Sequence, residues 1–394
     1  MPIPFLRTGL AALVCLTWAI GVNAQTFDTR ATAAYVLDQT TGTVLLAKNA
    51  DEPLPPASMS KLMTIYMAFE AVADGILAID EKLPVSTHAS AYTGSSMFLD
   101  TTDRVSVEDL LRGVIVLSGN DASAVLAEAL SLDGTEAGFA HQMTERGREM
   151  GMTHSTFKNS NGWPVAGHRM SMRDLGLLAD RLITDYPTYY PLFAEREFAF
   201  DSRVPSNSRN RNPVLSMGIG ADGLKTGHTQ EAGFGLVGSA KQGDRRIIFV
   251  ITGLETRQAR AEESEKILNW AFRQFAQKDV AQGGMRIAEA DVWMGELPSV
   301  GLTVADNISL LVPIANQDGL DAKVIYTGPI EAPIVAGQAL GELIISLGGL
   351  PEHRVPLVAE HDVPLGGFNA RIRIAGEVLW DKFGLSPDII GAES

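Results

Sequence analysis

Pro55-Pro56-Ala57-Ser58-Met59-Ser60-Lys61-Leu62-Met63-Thr64 is the stretch around which the rest of the chain is organised. Ser58 and Lys61 stand three apart. The apolar residues that follow, Leu62, Met63, Ile65, Tyr66, Met67, Phe69 and Val72, recur at helical spacing, so the two prolines deliver Ser58 to the first turn of a helix. Hydroxyl and amine then share one helix face. A serine hydroxyl is a weak nucleophile until a base takes its proton, and an ammonium group cannot be that base. Lys61 must therefore be neutral, through burial or through a nearby cation. Backbone N–H groups at the helix start can also face an oxyanion. A second Ser-x-x-Lys match, Ser155-Thr156-Phe157-Lys158, runs into Asn159-Ser160-Asn161-Gly162. That is a turn signature rather than a helix start.

The 394 residues contain no low-complexity tract and suffice for two globular domains with their own cores. A formal net charge of −15 argues against nucleic acid or a strongly anionic membrane as the main partner. At the N-terminus, Arg7 precedes the apolar run Leu10 to Ile20, and Val22-Asn23-Ala24 ends it with small residues suited to cleavage before Gln25. Residues 1–24 thus read as a signal peptide, with an uncleaved anchor as the alternative. Cys15, the only cysteine, lies inside this segment, and Val14 before it is too large for a usual lipoprotein site. The mature chain then needs neither disulfides nor a cysteine nucleophile.

Residues 33–38 and 43–47 read as two strands around Thr41-Gly42, a hairpin just ahead of the Ser58 helix. From Val105 to Ala179 the pattern is mostly helical. Around Gly223 the period returns to two, giving strands over 224–227, 233–240 and 246–253, with a turn at Gln242-Gly243-Asp244 and then a helix over 258–275. The expected architecture is α/β, a sheet assembled from both ends of the segment 25–278 with a helical cluster between. Residues 277–284 read as a linker. Short strands over 300–304, 308–314, 322–326, 340–347 and 354–359 then make a small all-β domain within 285–365. The tail, 366–394, turns amphipathic from Phe368 to Phe383, which suits a membrane-surface helix, a helix packed on its own domain, or a dimer contact.

Two further strings offer partners for Ser58. Leu117-Ser118-Gly119-Asn120-Asp121 joins two predicted helices, and Gly119 allows a sharp turn that projects a hydroxyl and a carboxamide together. Ser118 suits a proton relay between Lys61 and a leaving amine, and Asn120 suits holding a substrate amide by donor and acceptor at once. Taken alone, the string reads as a cap on the next helix. Leu224-Lys225-Thr226-Gly227-His228-Thr229 begins a strand. There Gly227 leaves room for another backbone, Lys225 is a second cation able to depress the pKa of Lys61, and Thr226 and Thr229 offer hydroxyls to a carboxylate.

Ser58-Met59-Ser60-Lys61, Ser118-Gly119-Asn120 and Lys225-Thr226-Gly227, in this order, resemble the three signatures of penicillin-recognising serine enzymes. The longer strings Gly94-Ser95-Ser96-Met97-Phe98-Leu99, Ser118 to Ala122 and Lys225 to Thr229 are similar to one branch, the low-molecular-mass penicillin-binding proteins that act as D-alanyl-D-alanine carboxypeptidases. The similarity runs from the mature N-terminus to Gly366-Gly367-Phe368, nearly the whole chain. It implies a penicillin-recognising serine transferase/β-lactamase-like domain, an antiparallel sheet with a helical subdomain, followed by the small all-β domain. It also implies attack by Ser58 on the bond between the last two D-alanines of a peptidoglycan stem peptide, with Lys61 as general base. The N–H groups of Ser58 and His228 would form the oxyanion hole, Ser118 would relay a proton, and Arg211 would lie near the substrate carboxylate. Penicillins would acylate Ser58. An exported protein of the periplasm or cell envelope follows, with peripheral contact at the outer face of the cytoplasmic membrane through the tail as one option. Asn161-Gly162-Trp163-Pro164-Val165-Ala166-Gly167-His168 departs from the family pattern and receives no role.

Three rivals remain. A serine β-lactamase shares the motifs, but no Glu-x-x-x-Asn follows the second one where class A enzymes carry it, and the β-domain argues against it. A D,D-endopeptidase is not separable by motif. A non-catalytic cell-wall binding protein is disfavoured by intact Ser58, Lys61 and Lys225. The seven histidines show no metal-ligand spacing and nothing requires a metal or other cofactor.

Overall fold

The computed structural model describes residues 27–201, 203–314, 320–347 and 352–367. The segment 1–24, expected to be a signal peptide, and the stretch from Phe368, expected to be an amphipathic helix, lie outside them. Strands β1 (Ala33–Asp38) and β2 (Thr43–Lys48) form the hairpin expected from the alternating pattern. A 3-10 turn, Ala57–Ser60, leads into α1 (Lys61–Ala73), so Ser58 precedes the α-helix rather than standing in its first turn. β3 (Lys82–Pro84), α2 (Thr87–Ser90) and β4 (Arg104–Ser106) follow, then the helical insertion of α3 (Val107–Arg112), α4 (Asn120–Leu130), α5 (Glu136–Glu149) and α6 (Met172–Asp185). The chain returns as β5 (Ala221–Thr229), β6 (Gly233–Gln242) and β7 (Arg245–Leu254), closed by α7 (Arg257–Arg273).

These five strands form one antiparallel sheet in the order β2-β1-β7-β6-β5. The N-terminal hairpin therefore pairs with the last strand of the segment, and β5 is left at an edge. Period-two alternation feeds two cores. Val36, Phe249 and Ile251 pack with Ile267 and Leu268 of α7 on one face, while Tyr35, Val237 and Val250 pack with α1 and α6 on the other. Helix α1 lies against α4, α5 and α6. It is buried well beyond the single stripe of its pattern, with Leu62, Met63, Ile65, Tyr66, Ala68 and Phe69 all at 0–1 % exposure. That burial fixes where Lys61, at its first position, can go.

Beyond α7, β8 (Phe275–Ala281) pairs with β11 (Ile308–Pro313). The linker expected over 277–284 is thus strand as far as Ala281. Gln277, Lys278 and Asp279 are exposed on a two-stranded ladder, so its composition resembles a loop. The ladder ties two cores together, because Phe275 and Leu311 belong to the first and Leu310 and Val312 to the second. β9 (Arg286–Trp293), β10 (Ser299–Val304), β12 (Leu320–Tyr326), β13 (Ile330–Glu331), β14 (Ala339–Leu347) and β15 (His353–Ala359) form a second sheet in the order β12-β14-β15-β10-β9-β13. Of these, β9 and β13 were not among the expected strands. Val300, Leu302, Ile345 and Leu357 are at its centre.

Candidate active site

The Ser58 turn is held from outside. Ala57 sits in the left-handed region at φ 48, and its carbonyl accepts a hydrogen bond from the Ser60 hydroxyl at 3.1 Å. Gly162, at φ +77, presses on the same carbonyl, and a Cβ there would lie 2.0 Å from the Ala57 oxygen. From the other side comes Gly227 of β5, where a Cβ would lie 3.0 Å from the Pro56 carbonyl oxygen. The room that the sequence suggested for an incoming peptide at Gly227 is therefore taken up by the chain's own serine turn.

Lys61 is fully buried, and its Nζ has three oxygens around it: Ser58 Oγ at 3.0 Å, Asn120 Oδ1 at 2.8 Å and the Asn161 carbonyl at 2.5 Å. The last two are acceptors only, since the Asn120 amide nitrogen is spent donating to the Thr93 carbonyl at 2.8 Å. A neutral amine has two N–H bonds and one lone pair. Its two protons go to Asn120 and Asn161, and the lone pair is left for the Ser58 hydroxyl. Burial, and then the charge of Arg211, lower the Lys61 pKa to about 7, against the opposing fields of Asp121 and Glu136. Arg211 is thus a cation acting on Lys61 that the sequence did not single out for this, and Lys225, the one it did, is coupled to Lys61 as well. Lys225 is itself driven well below its ordinary value, by burial and then by Lys61. The site disfavours holding two protonated amines.

Ser118 ends a π-turn at φ 62, ψ 32, and its Oγ accepts a hydrogen bond from Lys225 Nζ at 2.8 Å. Two residues on, Asn120 opens α4, so this one sharp turn addresses both lysines. The Asn120 amide commits one lone pair and one proton inward, so the whole group is not free to pair with a substrate amide as the sequence suggested. Asp121 fastens the turn to the loop 94–99. Its carboxylate accepts from Ser96 Oγ (2.6 Å), Met97 N (3.0 Å), Leu99 N (3.1 Å) and Ala122 N (2.9 Å). Glu136, at the start of α5, does the same for the Asn161 loop, accepting from Ser160 N at 2.9 Å, Ser160 Oγ at 2.5 Å and Tyr92 Oη at 2.6 Å. Burial raises its pKa, and the hydrogen bonds from Ser160, Tyr92 and His88 together outweigh that and keep it a carboxylate. Asp121, Glu136 and the Asn161 carbonyl are site residues to which the sequence assigned no role. A backbone carbonyl carries no residue-type signal, and Glu136 reads as an ordinary first-turn acid.

Ser58 and Ser118 open into a cavity of about 310 Å³ that Ser95, Arg211, Thr226, Gly227 and His228 also line. Arg211 hydrogen-bonds Ser95 Oγ, and His228 stacks on Phe234 at 3.8 Å between ring centroids. Thr229 is outside this lining: its Oγ1 accepts from Ala232 N at 3.0 Å and so serves the β5–β6 turn. The decoy pair is separated as well, since Ser155 Oγ donates to Asp174 at 2.7 Å and Lys158 is exposed.

The chain is similar to known proteins along most of its length. Residues 20–256 match the family described as D-alanyl-D-alanine carboxypeptidase, and residues 275–365 match the penicillin-binding protein 5 C-terminal domain. The chain is 36% identical to the D-alanyl-D-alanine carboxypeptidase DacC of Escherichia coli (strain K12) over 89% of its length and 88% of the relative's. Penicillin-binding protein 5 of Haemophilus influenzae superposes with a TM-score of 0.74 at 31% identity, covering 86% of this chain and 98% of that one. Penicillin-binding protein D2 of Listeria monocytogenes, solved in its ampicillin-bound form, superposes with a TM-score of 0.56 at 32% identity, over 62% and 98%. The chain belongs to the serine-type D-alanyl-D-alanine carboxypeptidase family.

Proposed function

We propose that Ser58 is the acylated nucleophile of a D-Ala-D-Ala carboxypeptidase and that Lys61 is its base. The observation that carries this reading is the Lys61 environment, in which two obligate acceptors take its protons and the remaining direction points at Ser58 Oγ. In the forward step the Ser58 proton moves to Lys61 Nζ while Oγ attacks the carbonyl carbon of the penultimate D-alanine. The oxyanion is held by the backbone N–H groups of Ser58 and His228. The C–N bond then breaks, and the departing D-alanine nitrogen receives, relayed through Ser118, the proton that Lys61 Nζ took from Ser58, which returns Lys61 to its neutral form; Ser118 is held for this by its hydrogen bond from Lys225. Arg211 and Thr226 face the carboxylate of the leaving residue. Water attacks the acyl-enzyme with Lys61 again as base, which frees Ser58 and the shortened peptide. A β-lactam carries its strained amide into the same pocket and acylates the same oxygen. Deacylation by a carboxylate acting as base on water, as in a class A β-lactamase, does not suit this site. Asp121 and Glu136, the two carboxylates whose fields reach Lys61, spend their oxygens on loop hydrogen bonds.

The same reading places the protein outside the cytoplasmic membrane, delivered by residues 1–24, with the serine peptidase domain over 25–278, the β-rich domain over 285–365 and the tail 366–394 available to a membrane surface. The test incubates mature protein with a fluorescent penicillin and, separately, with a pentapeptide ending in D-Ala-D-Ala. Label retained on Ser58 together with released D-alanine is the expected result. Rapid loss of label with hydrolysed penicillin indicates a β-lactamase, and no label with no D-alanine indicates a binding protein.

A further inference from the structure

Helix α7 begins at the reaction pocket, and its first turn carries no acidic residue. It carries instead Arg257 at its first position and Arg260 one turn on, and both line the cavity beside Arg211. A helix N-terminus favours carboxylates and repels cations, so this is the wrong charge for the helix itself. The chain does not lack acids, with 47 acidic residues against 32 basic. Nevertheless, the charges acting on Arg260 are Arg257 and Arg211, both of its own sign.

Arg260 is the more telling of the two. It is 6% exposed, its Nη2 donates to the Arg211 carbonyl at 3.1 Å, and its guanidinium lies 5.9 Å from the Phe234 ring centroid. Its buried Nε has no partner among the described residues. A buried guanidinium with an unspent N–H is costly unless an anion completes it. The carboxylate of a leaving D-alanine brings one negative charge to a cavity lined by three guanidiniums, Arg211, Arg257 and Arg260, and leaves it with an excess of positive charge.

We propose that Arg257 and Arg260 form a second anion subsite in the reaction pocket, which selects leaving residues bearing a side-chain carboxylate, so that D-glutamate is released from acyl-D-Ala-D-Glu in preference to its neutral isostere. The inference rests on the carboxypeptidase reading. The bond broken is the same amide, with hydroxide from water going to the D-alanyl carbonyl and the proton to the acidic residue's nitrogen. Arg257 is exposed and reaches the ligand through solvent, and Arg260 supplies the desolvated contact.

The experiment compares N-acyl tripeptides ending in D-Ala-D-Glu, D-Ala-D-Gln and D-Ala-D-Ala. The Glu and Gln peptides have the same shape and differ in charge, so the ratio of their kcat/KM values isolates the subsite. We expect that ratio to exceed one by about 3- to 10-fold, and to fall towards one between about 20 mM and about 500 mM salt. It should be largely lost in Arg257→Gln and largely kept in Arg257→Lys, with penicillin labelling used to show that each variant retains a folded pocket. A ratio at or below one in the native protein, or a ratio unmoved by Arg257→Gln, overturns the proposal. Failure to release D-alanine from the D-Ala-D-Ala peptide is a different result: it refutes the carboxypeptidase reading and the subsite falls with it.

Discussion

Replacing Gly162 by alanine tests whether the Ser58 turn is positioned from outside. Residue 162 has φ +77, where an L-residue with a Cβ costs about 1–2 kcal/mol. The added Cβ would start 2.0 Å from the Ala57 carbonyl oxygen, with the Ala57 carbonyl carbon at 2.5 Å. Both are backbone atoms, so no side chain can rotate out of the way. Separation to an ordinary contact needs a relative shift of at least about 1 Å between the Ser58 turn and the Asn161 loop, and overpacking of this kind costs about 1–3 kcal/mol more. A shift of 1 Å at a reacting centre costs about 100-fold in rate. It also moves the Asn161 carbonyl off Lys61, so the amine loses one of the two acceptors that aim its lone pair. Gly162→Ala should therefore acylate with fluorescent penicillin about 100-fold more slowly and melt about 5–15 °C lower. A variant that melts lower and still acylates within about threefold of the native rate would refute the claim that this contact aims Ser58. An unchanged melting point would refute the clash itself.

The pH dependence follows from Lys61. Its protonated form cannot accept the serine proton, so acylation should rise with pH, with a midpoint near the lowered pKa of about 7, and fall about tenfold per unit below it. Arginine stays protonated throughout this range, so Lys61→Arg should abolish penicillin labelling at every pH, and retained labelling would remove Lys61 as base. Asp121→Ala leaves the buried N–H groups of Met97 and Leu99 without their acceptor, at about 1–3 kcal/mol each. A large drop in urea midpoint together with lost labelling is expected, and a variant of native stability would contradict the bonding described. Ser155→Ala, by contrast, removes the Ser-x-x-Lys serine that the fold uses only to bind Asp174. It should cost about 1.5–3 kcal/mol in stability and leave labelling intact.

The amino-acid sequence alone determined the spacing of Ser58 and Lys61, the hairpin, the sheet strands around Gly223, the helical insertion and the small β-domain, because each rests on local periodicity and turn chemistry. It misjudged residues 277–281, whose polar face belongs to a real two-stranded ladder, and it missed β9. The tertiary structure alone decided what surrounds the amine: the Asn161 carbonyl beside the Asn120 side chain, the cation at Arg211 in addition to Lys225, and the carboxylates of Asp121 and Glu136 that hold the two loops in place. It also decided the fate of Gly227 and Thr229, one pressed on the serine turn and the other spent on a hairpin. The physical reason is common to all of these. A residue's type announces what it can donate or accept, whereas its pKa and its free lone pair depend on burial and on partners tens to hundreds of positions away, which only folding brings within reach.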